Sequence, residues 1–303
     1  MQYIWDMAIN IEVTRNSSFC PGVDRAFRIT EETLFGNKAH CYSIGPLIHN
    51  PEVVKRLSML GLEVLDPDSA DLPDLEGAHV VIRSHGIDTA TELKLKGLGA
   101  VLIDATCPTV KRAQDAAAML IDAGYQVLVL GTESHPEVHS IIGRAGGPVT
   151  VIESPEEAER WAAEHAGESP RIGIVCQTTI SRDLLDAVLE VLERTFDDVT
   201  VMDTICESVA HRQVDACELA GRVDLMIVAG GRNSSNTNKL AAKCGETGVE
   251  THLIEDSSEI QGDWLDGVKN VGVTGGASTP DWLIQETVER LFELELQREQ
   301  NSR

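Results

Sequence analysis

Several familiar signatures are missing from this chain of 303 residues. There is no Cys-x-x-Cys, which excludes zinc ribbons and thioredoxin-type redox pairs. Neither Gly-x-Gly-x-x-Gly nor Gly-x-x-x-x-Gly-Lys-Ser/Thr stands at a strand end, so nothing implies a dinucleotide or a P-loop. No apolar run approaches the ~18 residues that a membrane helix needs. Basic residues are scarce: 25 Lys plus Arg face 49 Asp plus Glu, a formal charge of −24. That balance argues against nucleic acid and anionic membranes as partners, because both want clustered cations. A small anionic substrate stays open, since exposed charges beyond ~8 Å are largely screened and the site's own groups decide. The stretch Met1–Phe19 holds Asp6, Glu12 and Arg15 but no basic region leading into an apolar core. Neither a secretory signal nor a transit peptide is expected, and the expected location is cytoplasmic.

What the chain does have is seven cysteines, three of them in telling places. Cys20, Cys107 and Cys206 each stand where a strand-like run gives way to a helical pattern. In open α/β sheets, ligands bind at the carboxyl ends of strands. Three thiolates delivered there by three separate units can converge on one iron–sulfur cluster, which points to redox chemistry. Cys217 and Cys244 fall in helical patterns, and Cys41 and Cys176 in strand-like runs. Those four read as small buried hydrophobes. Cys176, near a strand's end, stays open as a further ligand.

Short β-branched runs alternate with helices throughout, the pattern of parallel sheets with crossover helices. The runs fall into groups of four. The first group is His40–Ile44, Leu62–Leu65, His79–Arg83 and Val101–Asp104; the second is Gln126–Leu130, Val149–Glu153, Arg171–Cys176 and Val199–Met202. The third is Leu225–Ala229, Glu250–Ile254 and Val271–Thr274, completed by the early run Ile9–Thr14. Three α/β domains are therefore expected at residues 20–106, 107–205 and 206–292, the last completed by an N-terminal strand within 1–19. Asn50-Pro51 and Thr279-Pro280 read as helix openings, with Val53, Val54, Leu57 and Leu60 as one buried stripe and Ile284, Val288 and Leu291 as another. The polar tail 293–303 is expected to fray.

Polar residues cluster at the same corners: His49, His85, His135, Thr178, Ser234, Ser235, Asn236 and Ser278. Helix N-termini, glycines, and neutral Ser and Asn donors suit a diphosphate on an acidic protein. Each of these residues alone is equally well a helix cap. His135-Pro136-Glu137-Val138-His139 invites a zinc-hydrolase reading, but Glu137 is one place off the His-Glu-x-x-His pattern. Pro136 suits a first helical turn and puts His135 at the cap. Glu137 reads better as a proton donor with a tunable pKa.

Nine ordered motifs carry a resemblance. They are Phe19-Cys20-Pro21-Gly22-Val23-Asp24-Arg25-Ala26, Ile48-His49-Asn50, Ser84-His85-Gly86, Asp104-Ala105-Thr106-Cys107-Pro108, His135-Pro136-Glu137-Val138, Gln177-Thr178-Thr179, Asp203-Thr204-Ile205-Cys206, Asn233-Ser234-Ser235-Asn236 and Gly276-Ala277-Ser278. Over about residues 10–291 the chain resembles the hydroxymethylbutenyl diphosphate reductase (IspH/LytB) family of the non-mevalonate isoprenoid pathway. The resemblance implies a pseudo-threefold trefoil of three small parallel-sheet α/β domains around a central cleft, holding a 4Fe-4S cluster. It implies Cys20, Cys107 and Cys206 as metal ligands, with the fourth iron open to the substrate's allylic alcohol. His49, His85, His135, Thr178, Ser234, Ser235, Asn236 and Ser278 would then bind the allylic diphosphate. Glu137, Thr178 and His135 would be catalytic, and ferredoxin or flavodoxin would deliver electrons. The products implied are isopentenyl and dimethylallyl diphosphate.

The chain departs from the family pattern in two places. Ser18 stands where Gly commonly precedes Phe-Cys, and Cys206-Glu207-Ser208-Val209 replaces the usual Cys-x-Ala-Thr. Val209 removes a hydroxyl that bears on substrate positioning, while Arg212-Gln213 is retained. An iron–sulfur sensor of a phosphorylated metabolite is the alternative to an enzyme, but sensing would need neither Glu137 nor Thr178.

Overall fold

Hydrophobic alternation and helix punctuation build the elements where they are expected. The computed structural model describes residues 2–3, 9–36, 39–167 and 170–301. Positions 1 and 4–8 of the expected N-terminal segment, 37–38 and 168–169 within the first two expected domains, and 302–303 of the tail lie outside the described residues. In chain order the first elements are β1 (Gln2–Tyr3), β2 (Asn10–Val13), α1 (Pro21–Gly36), β3 (Cys41–Ile44), α2 (Pro51–Met59), β4 (Leu62–Leu65), β5 (His79–Ile82), α3 (Thr89–Gly97) and β6 (Val101–Asp104). Then come α4 (Pro108–Asp122), β7 (Gln126–Leu130), α5 (Pro136–Ile142), β8 (Val149–Ile152), α6 (Pro155–His165), β9 (Ile172–Cys176), α7 (Arg182–Glu193) and β10 (Val199–Met202). The last are α8 (Glu207–Ala220), β11 (Leu225–Ala229), α9 (Ser235–Glu246), β12 (Glu250–Ile254), β13 (Asn270–Gly275) and α10 (Asp281–Asn301).

The strands form three sheets, ordered β4-β3-β5-β6, β10-β9-β7-β8 and β1-β2-β13-β11-β12. All pairings are parallel except β1 with β2, a short antiparallel edge that was not expected. The α/β class with three small parallel sheets is thus as expected. Among the described residues, no helix is long and apolar enough to cross a membrane.

Packing separates two compact units. One comprises Met1–Asp24, Ile48–Met59 and Glu207–Arg303; the other comprises Arg25–Leu47 and Leu60–Cys206. In the first, the strands of the five-stranded sheet send alternate side chains to opposite faces. Ile227, Val271 and Val273 pack with Ile284, Val288 and Leu291 of α10 on one face, and Met226 and Val228 pack with Leu219 of α8 and Leu240 of α9 on the other. Because both faces are covered, β11 reads as an unbroken apolar run, Leu-Met-Ile-Val-Ala, with every residue buried.

The second unit repeats the logic around β7 and β9. Leu128, Leu130 and Ile174 meet Trp161 of α6 and Leu185 and Leu192 of α7, while Val127, Val129 and Val175 meet Ala117 and Leu120 of α4. The sheet carrying β3 and β5 packs Ile44, Val80 and Ile82 against Leu75 and Leu95.

Three local expectations need correction. Residues 293–301 do not fray but extend α10, because Leu294 and Glu295 are buried and Arg298 donates to the Leu265 carbonyl at 2.6 Å. Leu60 is exposed, leaving Val53 and Leu57 as the buried stripe of α2. Thr279 does not cap α10; its hydroxyl donates to the Ala229 carbonyl at 2.7 Å, and the helix begins at Asp281.

Candidate active site

The three corner cysteines, Glu137 and the polar residues expected to bind the diphosphate each lie past the carboxyl end of a strand or at the start of a helix, where main-chain N–H groups are free to act. In the second unit the centre is Glu137. Pro136 occupies the first position of α5 and His135 caps it, its Nδ1 accepting the Glu137 amide at 3.1 Å. With Nδ1 an acceptor, a neutral His135 carries its proton on Nε2. Past the end of β9, the Thr178 amide donates to Glu137 Oε1 at 2.6 Å and the Thr178 hydroxyl to Oε2 at 3.1 Å. Glu137 is only 2 % exposed. Burial raises its carboxyl to about 7, against the two Thr178 bonds, which pull it down. A group poised there both holds and releases a proton near neutral pH.

The same unit fixes two of the three junction cysteines by their backbones. The Cys206 amide donates to the Thr178 carbonyl at 2.8 Å, so the third cysteine is tied to the residue that grips Glu137. Just before it, Thr204 Oγ1 accepts the Cys176 amide at 3.0 Å and lies 2.6 Å from the Cys176 carbonyl. The Cys107 amide donates to the Ser84 carbonyl at 2.9 Å, and Cys107 itself stands at the N-cap of α4 ahead of Pro108. Arg25 braces this corner, donating from Nη1 to the Thr106 carbonyl at 3.2 Å and from Nη2 to the Asp104 carbonyl at 3.4 Å. His85 is set against His135 edge to face, ring centroids 5.3 Å apart. The Ser140 hydroxyl lies 2.7 Å from the His85 carbonyl and 2.8 Å from that of Glu137, joining the two corners. Gly86 follows His85 with φ +74°, and a Cβ there would sit 2.5 Å from Gln114 Nε2, so the turn requires glycine.

In the first unit, Asn50 caps α2, its Oδ1 accepting the Val53 amide at 3.2 Å, which places His49 at that helix's entry. The Ser278 hydroxyl donates to the His49 carbonyl at 3.3 Å. Beyond the neighbouring strand β11, Gly231 passes so close that a Cβ would lie 2.8 Å from the same carbonyl. Ser234 caps α9, accepting the Thr237 amide at 3.3 Å, while Ser235 is exposed and Asn236 half-buried. The Asn236 Nδ2 is buried without a hydrogen-bond partner among the described residues, a donor suited to an anion's oxygen. His49, Ser234, Asn236 and Ser278 thus share one sheet edge in this unit. The Cys20 amide donates to the Ala277 carbonyl at 3.0 Å, which fixes this cysteine between β2 and α1.

Arg212 of α8, noted in the sequence only as a retained residue of the family pattern, makes contacts that the sequence did not announce. It is 2 % exposed and donates to the carbonyls of Asn16, Gly275 (2.7 Å) and Ser18 (2.5 Å), bracing the loop that leads into Cys20. Burial draws its guanidinium down to about 10, opposed by the negative charge of Cys20 and of Asp215, so it stays a cation at neutral pH. An arginine at an inward position of an otherwise apolar helix stripe, one turn past the buried Val209, was the available signal.

The thiols divide by environment. Cys20, Cys107 and Cys206 are half-buried at the corners, whereas Cys41, Cys176 and Cys244 are buried. Burial pushes the Cys176 thiol up to about 12, and Cys176 packs in the core with Leu130 and Ile174. A thiol so disposed is a poor metal ligand, because ligation requires the thiolate. Cys20, Cys107 and Cys206 offer thiol sulfurs, the donor type that an iron–sulfur cluster takes. The His135–His139 motif itself does not offer the zinc-hydrolase arrangement: His139 is exposed, and Glu137 is engaged by Thr178.

Comparison with known proteins is consistent in one direction. The family model described as LytB protein matches residues 11–292. The 4-hydroxy-3-methylbut-2-enyl diphosphate reductase of Geobacter metallireducens is 41% identical over 287 residues, covering 95% of this chain and 98% of the relative. That of Geobacter sulfurreducens is 40% identical over 287 residues, covering 95% and 98% respectively. A solved structure of (E)-4-hydroxy-3-methyl-but-2-enyl diphosphate reductase, the terminal enzyme of the non-mevalonate pathway, superposes with a TM-score of 0.73 at 38% identity, covering 93% of this chain and 99% of that one. The Plasmodium falciparum E-1-hydroxy-2-methyl-but-2-enyl-4-diphosphate reductase superposes with a TM-score of 0.81 at 26% identity, covering 92% of this chain and 86% of that one.

Proposed function

The chain belongs to the LytB family of 4-hydroxy-3-methylbut-2-enyl diphosphate reductases, and on that premise we propose which of its residues carry the reaction. It is an oxidoreductase of non-mevalonate isoprenoid biosynthesis, reductively removing the hydroxyl of 4-hydroxy-3-methylbut-2-enyl diphosphate to give isopentenyl and dimethylallyl diphosphate.

Cys20, Cys107 and Cys206 would hold a 4Fe-4S cluster with one iron left open. Bound there, the cluster would supply electrons and a Lewis-acidic site for the alcohol oxygen. The chain's own residues do the rest. Glu137 holds a proton at its carboxyl and gives it to the departing hydroxyl, so that water leaves rather than hydroxide. Thr178 orients that carboxyl through both of its oxygens and stands beside the substrate's hydroxyl end. His135 binds the diphosphate and, through Nδ1, fixes the Glu137 backbone. His49, His85, Ser234, Ser235, Asn236 and Ser278 complete the diphosphate grip, using neutral donors and helix starts in a chain of net charge −24. Holding that end positions the alcohol for reaction.

The electron donor is ferredoxin or flavodoxin in this reading. Seven cysteines without a disulfide-framework spacing suit a reducing compartment, and we place the enzyme in the cytoplasm. The three sheets would mark three domains at 20–106, 107–205 and 206–292, the third completed by the N-terminal strand.

The observation that carries the proposal is the buried Glu137 carboxyl, raised to about 7 and gripped at both oxygens by Thr178. The test is anaerobic purification with iron and sulfide analysis, then turnover of the allylic diphosphate with a chemical reductant. Protein that carries iron and sulfide and releases both products supports the reading; iron-loaded protein inert toward the diphosphate would sink it.

A further inference from the structure

A buried charge with no bonded counter-ion is destabilising, and Arg212 is one. Its guanidinium is spent on three backbone carbonyls, those of Asn16, Ser18 and Gly275. Among the described residues its hydrogen bonds go to backbone carbonyls and none to a carboxylate. The nearest acid in effect, Asp215, instead accepts the Asn16 side-chain amide at 2.6 Å. Arg212 Nε is also buried, with no hydrogen-bond partner among the described residues. The three carbonyls converge on one feature: Asn16 and Ser18 lead into Cys20, and Gly275 ends the strand whose next turn, at Ala277, accepts the Cys20 amide. A neutral donor could satisfy carbonyls without the expense of burying a cation. The charge therefore needs a reason: of the two negative groups that act on it, Asp215 is already engaged by the Asn16 side chain, and the other is the Cys20 sulfur.

We infer that Arg212 is a positioning residue for the Cys20 corner, and that its charge favours the reduced state of the cluster Cys20 helps to hold. The inference rests on the cluster reading above. Reduction adds one negative charge near the sulfur. A fixed cation in a low-dielectric setting stabilises that added charge more than it stabilises the oxidised state. The planar fork also matters, because a guanidinium reaches three carbonyls at once where an ammonium cannot hold the same fan.

Wild-type, Arg212→Gln and Arg212→Lys proteins are loaded anaerobically, checked for iron and sulfide, and titrated potentiometrically with spectroscopic detection. The Gln protein is expected to be about tenfold harder to reduce, 59 mV for a one-electron couple. The Lys protein, which keeps the charge, should stay within about threefold of wild type. A fully loaded Gln protein with the wild-type potential overturns the electrostatic role, as does a Lys protein that shifts as far as Gln. Positioning is read separately, by amide exchange at residues 17–20 of the full-length chain. Exchange at least about tenfold faster in the Lys protein is expected, and unchanged exchange overturns the brace. Should the Gln protein not fold, the Lys potential and the exchange decide between them. Wild-type protein free of iron and sulfide would defeat the cluster reading alone, and exchange would still decide the positioning role.

Discussion

Thr178 holds Glu137 by both carboxyl oxygens, one bonded to its amide at 2.6 Å and the other to its hydroxyl at 3.1 Å. The grip is unequal in kind. The amide bond belongs to the backbone and survives any side-chain change, whereas the hydroxyl bond can be deleted alone.

Replacing Glu137 by Gln keeps the shape and removes the proton. Turnover is expected to fall by about 10²–10⁴-fold with iron and sulfide content unchanged. Steady-state rates alongside metal analysis check it, and undiminished turnover would remove Glu137 from the mechanism.

Thr178→Val deletes only the hydroxyl bond. Both Thr178 bonds lower the Glu137 pKa, so losing one lifts it above about 7. A general acid works while protonated, so the alkaline limb of the kcat profile should move to higher pH. A limb that stays put or moves down would show that another group sets it.

Glu137 also makes stability depend on pH. Its folded pKa is raised from 4.5 to about 7, so the folded state binds the proton more tightly than the unfolded state does. The resulting stabilisation is complete below pH 4.5 and disappears as pH rises through about 7. It amounts to about 3 kcal/mol. Relative to wild type, the Glu137→Gln protein should therefore gain about 3 kcal/mol between pH 4.5 and pH 8.5 in denaturant titrations. A constant difference across that range would contradict the raised pKa.

Removing cysteines one at a time should separate ligands from core. Cys20→Ser, Cys107→Ser and Cys206→Ser are each expected to lose iron, whereas Cys176→Ala, changed within the apolar core, should keep it. Loss of iron from the Cys176 variant on a folded protein would make it a ligand after all.

Gly86→Ala tests the turn that carries His85. Gln114 can swing away from the added methyl, but a φ of +74° cannot be relieved so easily. Destabilisation of about 1–2 kcal/mol is expected, measurable by thermal or denaturant unfolding.

Much of this architecture is legible in the sequence because parallel strands buried on both faces leave unbroken apolar runs. Leu225–Ala229 is one such run, found with its bounds intact. The corners are legible for a related reason: glycine, proline and capping residues mark where strands end, and Asn50-Pro51 shows how directly. Long-range side-chain bonds leave no such trace. Nothing local in Arg212 announces that it reaches carbonyls 194 and 196 residues away in the chain. The Thr279 hydroxyl likewise chose the Ala229 carbonyl over its own helix, because a strand end 50 residues back lay within reach. The end of α10 was hidden too, since its polar composition conceals the buried Leu294 and the anchor at Arg298.

The bond from the Cys206 amide to the Thr178 carbonyl ties together two main-chain segments separated in sequence by α7 and β10. Glu137 and Cys206 are both bonded to the main chain of Thr178, the Glu137 carboxyl to its amide and the Cys206 amide to its carbonyl, so a displacement of Thr178 would pull on both. In the proposed reaction, proton delivery from Glu137 would thereby stay in register with the Cys206 sulfur.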